Sequence, residues 1–170
     1  MKTHLLKNNI AVDFSVSACT RSRRPHEIHG KDYYFLSVHE FKLKIIQGAF
    51  IEWEEVYPGD YYGTLKTEVA RIWAAEQVAL FDIDVQGGLR LKSYFKENAL
   101  AVYIEAPSLQ ILKERLRKRA TELEKNIILR TNKITQEAIF ASKFDVILIN
   151  ANLQKSLIEA QALLDKFLKE

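Results

Sequence analysis

The chain has 170 residues, 48% apolar and 28% charged, enough for one domain with a substantial core. A formal net charge of +3 argues against a nucleic-acid binder, which concentrates basic residues on one face. No apolar run approaches the roughly 20 residues of a membrane helix, residues 1–9 lack the apolar centre of a secretory signal, and a lone cysteine, Cys19, makes a reducing cytoplasm the expected compartment.

In chain order, residues 14–18 (FSVSA) read as a first strand. Residues 21–64 hold most of the glycines and five of the seven tyrosines, and read as a small insertion of short strand-like pieces. Three apolar runs follow at 78–84 (VALFDID), 99–106 (ALAVYIEA) and 145–150 (DVILIN). Runs this short and this apolar fit strands buried on both faces. Helical spacing fills the gaps at 108–119, where Leu109, Leu112 and Leu116 share a face, at 125–142, and at 153–168. Alternating strands and helices predict an α/β fold with a parallel sheet. Residues 115–125 (RLRKRATELEK) are polar and read as a lid between helices.

Several residues could carry chemistry. Arg21, Arg23 and Arg24 gather three guanidinium groups just after a strand end, where ligands of parallel α/β proteins bind. Arginine forks match phosphate oxygens, and Glu27, Tyr33 and Tyr34 add an acceptor and hydroxyl donors; a solvated basic loop is the alternative. Glu52 lies among apolar neighbours, with Tyr61, Tyr62 and Thr64 clustered around Gly63. A buried carboxylate there could accept from the N1–H and exocyclic amine of guanine, a donor pair that adenine lacks; core aromatics beside an edge carboxylate are the alternative. Asp82 and Asp84 close an apolar run and precede Gly87-Gly88. They could hold the water shell of Mg²⁺ or a substrate amine, or cap a helix. Arg115, Arg119 and Arg130 could offset charge on a transferring phosphoryl group, or form a wet helix face. His4, His26, His29 and His39 show no metal-ligand spacing with Cys19 or a carboxylate, so no protein-held metal is expected.

Residues 15–35 (SVSACTRSRRPHEIHGKDYYF) resemble the GMP-binding signature of the guanylate kinases, SVSxTTRxPRxGExxGxDYxF. The segments FIEWEEVYPGDYYGT, LFDIDVQGG, ERLRKRATELE and ILIN follow in the family's order, so the resemblance runs from about residue 5 to the C-terminus. It implies a P-loop-kinase-like parallel sheet flanked by helices, in a single domain with its core at 1–20, 65–114 and 126–170, a GMP-binding insertion at 21–64 and a lid at 115–125. The implied reaction phosphorylates GMP to GDP at the expense of ATP, recycling GMP in purine nucleotide metabolism, with Mg²⁺ accompanying ATP. Ser17, Arg21, Arg24, Glu27, Tyr33 and Tyr62 would hold GMP, chiefly by its phosphate. Glu52, Thr64 and Asp84 would read guanine, and Asp82 would sit near Mg²⁺. Arg115, Arg119 and Arg130 would close on the ATP phosphates, and Asn150 would lie by the adenosine. GMP and ATP are the expected partners, with neither nucleic acid nor membrane; a homo-oligomer is compatible with the sequence.

The chain departs from the family pattern at Cys19, Arg23, Pro25, His26 and Ala120, and the turn at Tyr57-Pro58-Gly59 is about one residue longer than common forms. The family also opens on a strand and a GxSGxGK-type loop that cradles ATP phosphates through backbone N–H groups and a lysine. Residues 1–13 contain no glycine, and 1–9 align with the helix that follows that loop. The expectation is therefore a sheet lacking its central first strand, in the family order 2-3-1-4-5, with GMP binding retained and little turnover. The alternative from another class is a non-catalytic guanylate-kinase-like module that binds GMP or phosphorylated protein segments, although such a binder has no use for Glu52, Asp82 and Asp84.

Overall fold

The structure, a computed structural model, describes residues 1–118 and 124–169. It forms two compact units, Lys2–Ala99 and Leu100–Glu170, the second also taking Met1.

The first unit opens with helix α1 (Lys2–Asn8) and strand β1 (Val12–Phe14). Strands β2 (Ala18–Cys19) and β3 (Tyr34–Phe35) follow, then helix α2 (Val38–Ile46) and the hairpin of β4 (Phe50–Tyr57) and β5 (Asp60–Leu65). Helix α3 (Lys66–Ala74), strand β6 (Val78–Leu80) and helix α4 (Val85–Phe95) complete it. β1 and β6 form a parallel ladder, while the other four strands form a mixed sheet in the order β3-β2-β5-β4. The hairpin turns at Pro58-Gly59, with Tyr57 paired to Asp60 and Gly59 at φ 83°. Proline followed by a positive-φ glycine is the type II turn pattern. Within the mixed sheet, Phe41 of α2 stacks on Phe50 at 4.4 Å and meets Tyr61 at 5.6 Å, joined by Ala18 and Leu65. Each such buried aromatic contributes roughly 2–3 kcal/mol.

One carboxylate ties the ladder to the mixed sheet. Glu68 of α3 is 2% exposed. It accepts hydrogen bonds from Val16 N–H at 3.1 Å, the Tyr34 hydroxyl at 2.9 Å and Arg71 at 2.8 and 3.3 Å. Arg71 reaches on to Asp13 at 2.8 Å. Burial works to raise the Glu68 carboxyl, but the Arg71, Val16 and Tyr34 donors outweigh it and hold it below the usual carboxylate range.

In the second unit, strands β7 (Val102–Glu105) and β8 (Val146–Ile149) form a parallel ladder, with Leu148 fully buried. Helices α5 (Leu109–Lys118), α6 (Glu124–Glu137) and α7 (Leu153–Phe167) accompany it. Asn152 caps α7, accepting from Lys155 N–H at 3.1 Å.

The α/β class and the parallel pairing match the sequence reading, and four details differ. The strand expected at 14–18 breaks into β1 and β2, because Val16 N–H turns to Glu68 instead of a neighbouring strand. The 78–84 run pairs only over Val78–Leu80, leaving 81–84 free of the ladder to lead into α4. The insertion contains a helix, α2, fixed by a capping box in which Ser37 and Glu40 satisfy each other's backbone N–H groups. Of the expected lid, residues 115–118 are the last turn of α5, where buried Leu116 continues the helical spacing, and 124–125 open α6. Residues 119–123, including Arg119 and Ala120, lie outside the described residues.

Replacing Glu68 with Ala strands the Val16 N–H and the Tyr34 hydroxyl and removes the main partner of Arg71. The expected loss is about 2–3 kcal/mol, seen as a lower urea midpoint, because two donors are stranded in the interior while Arg71, 49% exposed, is largely rehydrated. A loss below about 1 kcal/mol would show that the network does not hold the unit together.

Candidate functional site

Arg21 leaves β2 with its guanidinium clamped to Glu27. Nη1 donates to Oε2 at 2.7 Å and Nη2 to Oε1 at 2.6 Å. Arg24 adds a backbone N–H to Glu27 at 2.8 Å. These contacts hold the Glu27 carboxyl at about 2, the Arg21 hydrogen bonds being the largest cause. The clamp fixes the plane of the Arg21 fork, which lies over the Tyr33 ring at 4.8 Å and the Phe35 ring at 5.6 Å. The Tyr33 and Tyr62 rings meet edge to face at 6.1 Å. Burial pushes the Tyr62 hydroxyl up to about 12 and raises that of Tyr33, both against the pull of Arg21. At neutral pH both are therefore O–H donors, suited to an anion.

β5 carries this cup onward. Tyr62 and Thr64 are two residues apart on one strand, so their side chains leave the same face. Thr64 pairs with Glu52 of β4, and its hydroxyl donates to Glu52 Oε1 at 2.7 Å. Glu52 is 6% exposed, and its carboxyl is raised, first by burial and then by the charge of Asp84, against the Thr64 hydrogen bond. A buried carboxylate held by one hydroxyl and facing a second acid is poised to accept donors from a ligand. Gly63 lets the strands approach here: a Cβ on it would lie 2.8 Å from the Glu52 carbonyl oxygen and 2.9 Å from Trp53 Cβ.

Asp84 caps α4, its Oδ1 accepting from Gly87 N–H at 2.9 Å, and Arg90 of the same helix reaches the Trp53 carbonyl of β4 at 2.6 Å. Asp82 is exposed just before the helix, and its charge is felt at Tyr33. Ser17 is half-buried, and its carbonyl accepts from Tyr34 N–H at 2.9 Å. Thr20 stitches β2 to the hairpin, donating to the Gly59 carbonyl at 3.0 Å and accepting from Tyr61 N–H at 2.8 Å. Cys19 is fully buried, and burial pushes its thiol up to about 11, which makes it an inert filler and no nucleophile.

In the second unit, Arg115 donates to the Asn150 carbonyl at 2.8 Å and the Ala151 carbonyl at 3.3 Å, just past the end of β8. Asn150 Oδ1 is buried there without a hydrogen-bond partner. Arg130 is half-buried on α6.

Residues 1–167 match the family model described as guanylate kinase. The chain belongs to the guanylate kinase family. It is 40% identical over 165 residues to a guanylate kinase of Bacteroides fragilis, covering 97% of this chain and 81% of that one. A guanylate kinase of Thermotoga maritima is 40% identical over 150 residues, covering 88% and 72% respectively. The crystal structure of guanylate kinase from Anaplasma phagocytophilum superimposes with a TM-score of 0.76 at 26% identity, covering 97% of this chain and 78% of that chain.

Of the residues expected from this family's signature, the structure brings Arg21, Glu27, Tyr33 and Tyr62 together, and Glu52 with Thr64 and Asp84. The Arg24 side chain is exposed, so its observed part in the cup is its backbone N–H. Among the described residues no cluster of three or more His, Cys, Asp or Glu could hold a metal, and no helix is long and apolar enough to cross a membrane. Glu68 and Thr20 escaped the sequence reading. Glu68 was accessible to it, since helical spacing places it on the face of Val69 and Ile72, where a charge demands a partner.

Glu27→Gln keeps the shape of the clamp and removes its charge. It should lower stability at pH 7 by about 2 kcal/mol, a figure reduced because Arg21 is partly exposed. The folded carboxyl lies below its unfolded value, so its contribution is complete above about 4.5 and is lost as the pH falls toward about 2. Urea midpoints of wild type and variant should converge at pH 2, and a constant gap would rule the clamp out as the cause.

Proposed function

We propose that this chain catalyses the guanylate kinase reaction, in which the γ-phosphoryl group of ATP passes to the phosphate of GMP. The observation that carries this is the common face of β5, where Tyr62 of the Arg21 cup and Thr64 of the Glu52 pair stand one pleat apart. A phosphate held by the cup leaves the attached base beside a carboxylate that accepts two adjacent N–H donors. Guanine offers that pair at N1 and its exocyclic amine. Adenine brings an acceptor at N1, which would face the carboxylate unpaired.

The roles in this reading are assigned on the family resemblance. Arg21 and the hydroxyls of Tyr33 and Tyr62 bind and orient the acceptor phosphate, with Ser17, Arg24 and Glu27 in support. Glu52, Thr64 and Asp84 select the base. Asp82, exposed beside the cup, suits a water-mediated contact to Mg²⁺ brought by the nucleotide rather than a protein cage. Arg115, Arg119 and Arg130 would stabilise charge on the transferring group, an effect of roughly 10³–10⁵ where arginines serve this purpose. Asn150, with its buried unpartnered oxygen, suits an adenosine donor. The reaction belongs to GMP recycling in purine nucleotide metabolism, and a cytoplasmic location accords with the buried, reduced Cys19.

The acceptor site carries both the phosphate and the base assignments, so it is tested first, and by binding. Calorimetry should show GMP binding at least tenfold tighter than AMP, and Arg21→Ala should weaken both nucleotides. Glu52 must be ionised to accept from guanine, and its carboxyl is raised. The GMP-to-AMP preference should therefore grow with pH through that raised value; the ratio cancels the phosphate titration near pH 6, which both ligands share. Glu52→Gln should flatten this dependence. Equal affinity for GMP and AMP at every pH would refute the base assignment.

A further inference from the structure

Gly87 is the third residue of α4, and nothing in its own backbone calls for glycine. Its φ is not among the positive values, which in the glycines fall at Gly30, Gly48 and Gly59. Helices favour almost any residue other than proline over glycine. It is buried, so a longer side chain would also have apolar surface to cover. Local propensity and burial both favour alanine here.

The surroundings favour glycine. A Cβ on Gly87 would lie 3.1 Å from Glu52 Oε2, 3.2 Å from Asp84 Oδ1 and 3.5 Å from Glu52 Cδ. These are the three nearest atoms, and all belong to the two carboxylates assigned to the base. The same glycine donates its N–H to Asp84 Oδ1, so the backbone at 87 holds one carboxylate while the missing side chain spares room for the other. Glu52 is held on its far oxygen by Thr64 at 2.7 Å. A methyl group at 87 would therefore push a tethered carboxylate by a few tenths of an ångström and cover Oε2 with an apolar surface.

We propose that Gly87 is a specificity-determining residue, whose lack of a side chain keeps Glu52 Oε2 uncovered toward the base edge, beside the Asp84 carboxylate that the Gly87 N–H holds. This rests on the acceptor reading above and adds a residue to it. Gly87 makes no contact with the phosphate cup in this account. Its loss should therefore act on base discrimination and leave phosphate recognition intact.

The test compares wild type with Gly87→Ala, using GMP, IMP and inorganic phosphate as probes. IMP keeps N1–H and the phosphate but lacks the exocyclic amine, so the GMP-to-IMP preference measures recognition of that amine. For the variant, the affinity for GMP should fall at least tenfold and the preference for GMP over IMP should shrink toward one. Inorganic phosphate should compete as before, and the melting temperature should be unchanged or higher, as the helix gains alanine. If Gly87→Ala keeps the wild-type preference, or loses GMP, IMP and phosphate alike with a lowered melting temperature, the inference fails while the acceptor reading stands. A wild-type chain that does not distinguish GMP from IMP overturns the acceptor reading first, and this inference with it.

Discussion

A carboxylate buried away from water must find donors or give up its charge, and the first unit is organised around that constraint. Glu68 satisfies it by drawing on three elements at once: the chain leaving β1, the hydroxyl of β3 and the guanidinium of its own helix. Because Val16 N–H is committed to Glu68, the strand that begins at Val12 cannot run straight on. The chain is diverted after Phe14 and enters the mixed sheet at Ala18. The parallel ladder and the mixed sheet are thus joined at the Glu68 carboxylate, and Arg21 follows at the end of β2.

Three buried glutamates in this unit meet the same constraint in different ways, and the differences assign their roles. Glu27 and Glu68 each have an arginine, and both carboxyls are held below the usual range. Glu52 has Thr64 in place of an arginine, and its carboxyl is raised, first by burial and then by the charge of Asp84, against the Thr64 hydrogen bonds. The first two are satisfied within the protein, one orienting Arg21 and the other joining two sheets. The third has no arginine bonded to it among the described residues, for Arg90 close by is taken by the Trp53 carbonyl and Glu54.

Much of this was legible from residue order alone. The three apolar runs gave β6, β7 and β8, and the long signature at 15–35 marked Arg21, Glu27 and Tyr33 before any geometry was known. Pro58-Gly59 announced its turn, and Ser37 with Glu40 carried a readable helix start that the density of tyrosines and glycines around it obscured. What stayed hidden depends on partners far apart in the chain. Glu68 meets Val16 across 52 positions, and no periodicity encodes that meeting. Gly87 looks like half of an ordinary turn until Glu52 of a distant strand is placed against it. The polar stretch at 115–118 suggested a lid because charge dominates it; within it the single apolar residue Leu116 is buried and continues the helical spacing of α5.

The position of these groups follows from strand direction. In a parallel ladder every carboxyl end opens on the same edge, and the backbone groups beyond the last paired residue need partners that the ladder no longer supplies. After β1, Ser15 N–H still reaches the Leu80 carbonyl while Val16 turns to Glu68. After β6, residues 81–84 run free until the Asp84 carboxylate caps α4. After β8, the carbonyls of Asn150 and Ala151 are taken by Arg115, leaving the Asn150 side-chain oxygen buried and unpartnered. After β1 and β8 a charged side chain, Glu68 or Arg115, takes the place of the missing strand neighbour, and after β6 a carboxylate caps the next helix. Glu52 meets burial elsewhere and differently: it stands on β4, paired antiparallel with β5, and its carboxyl is raised by burial and by the charge of Asp84, with Thr64 as its hydrogen-bonded neighbour.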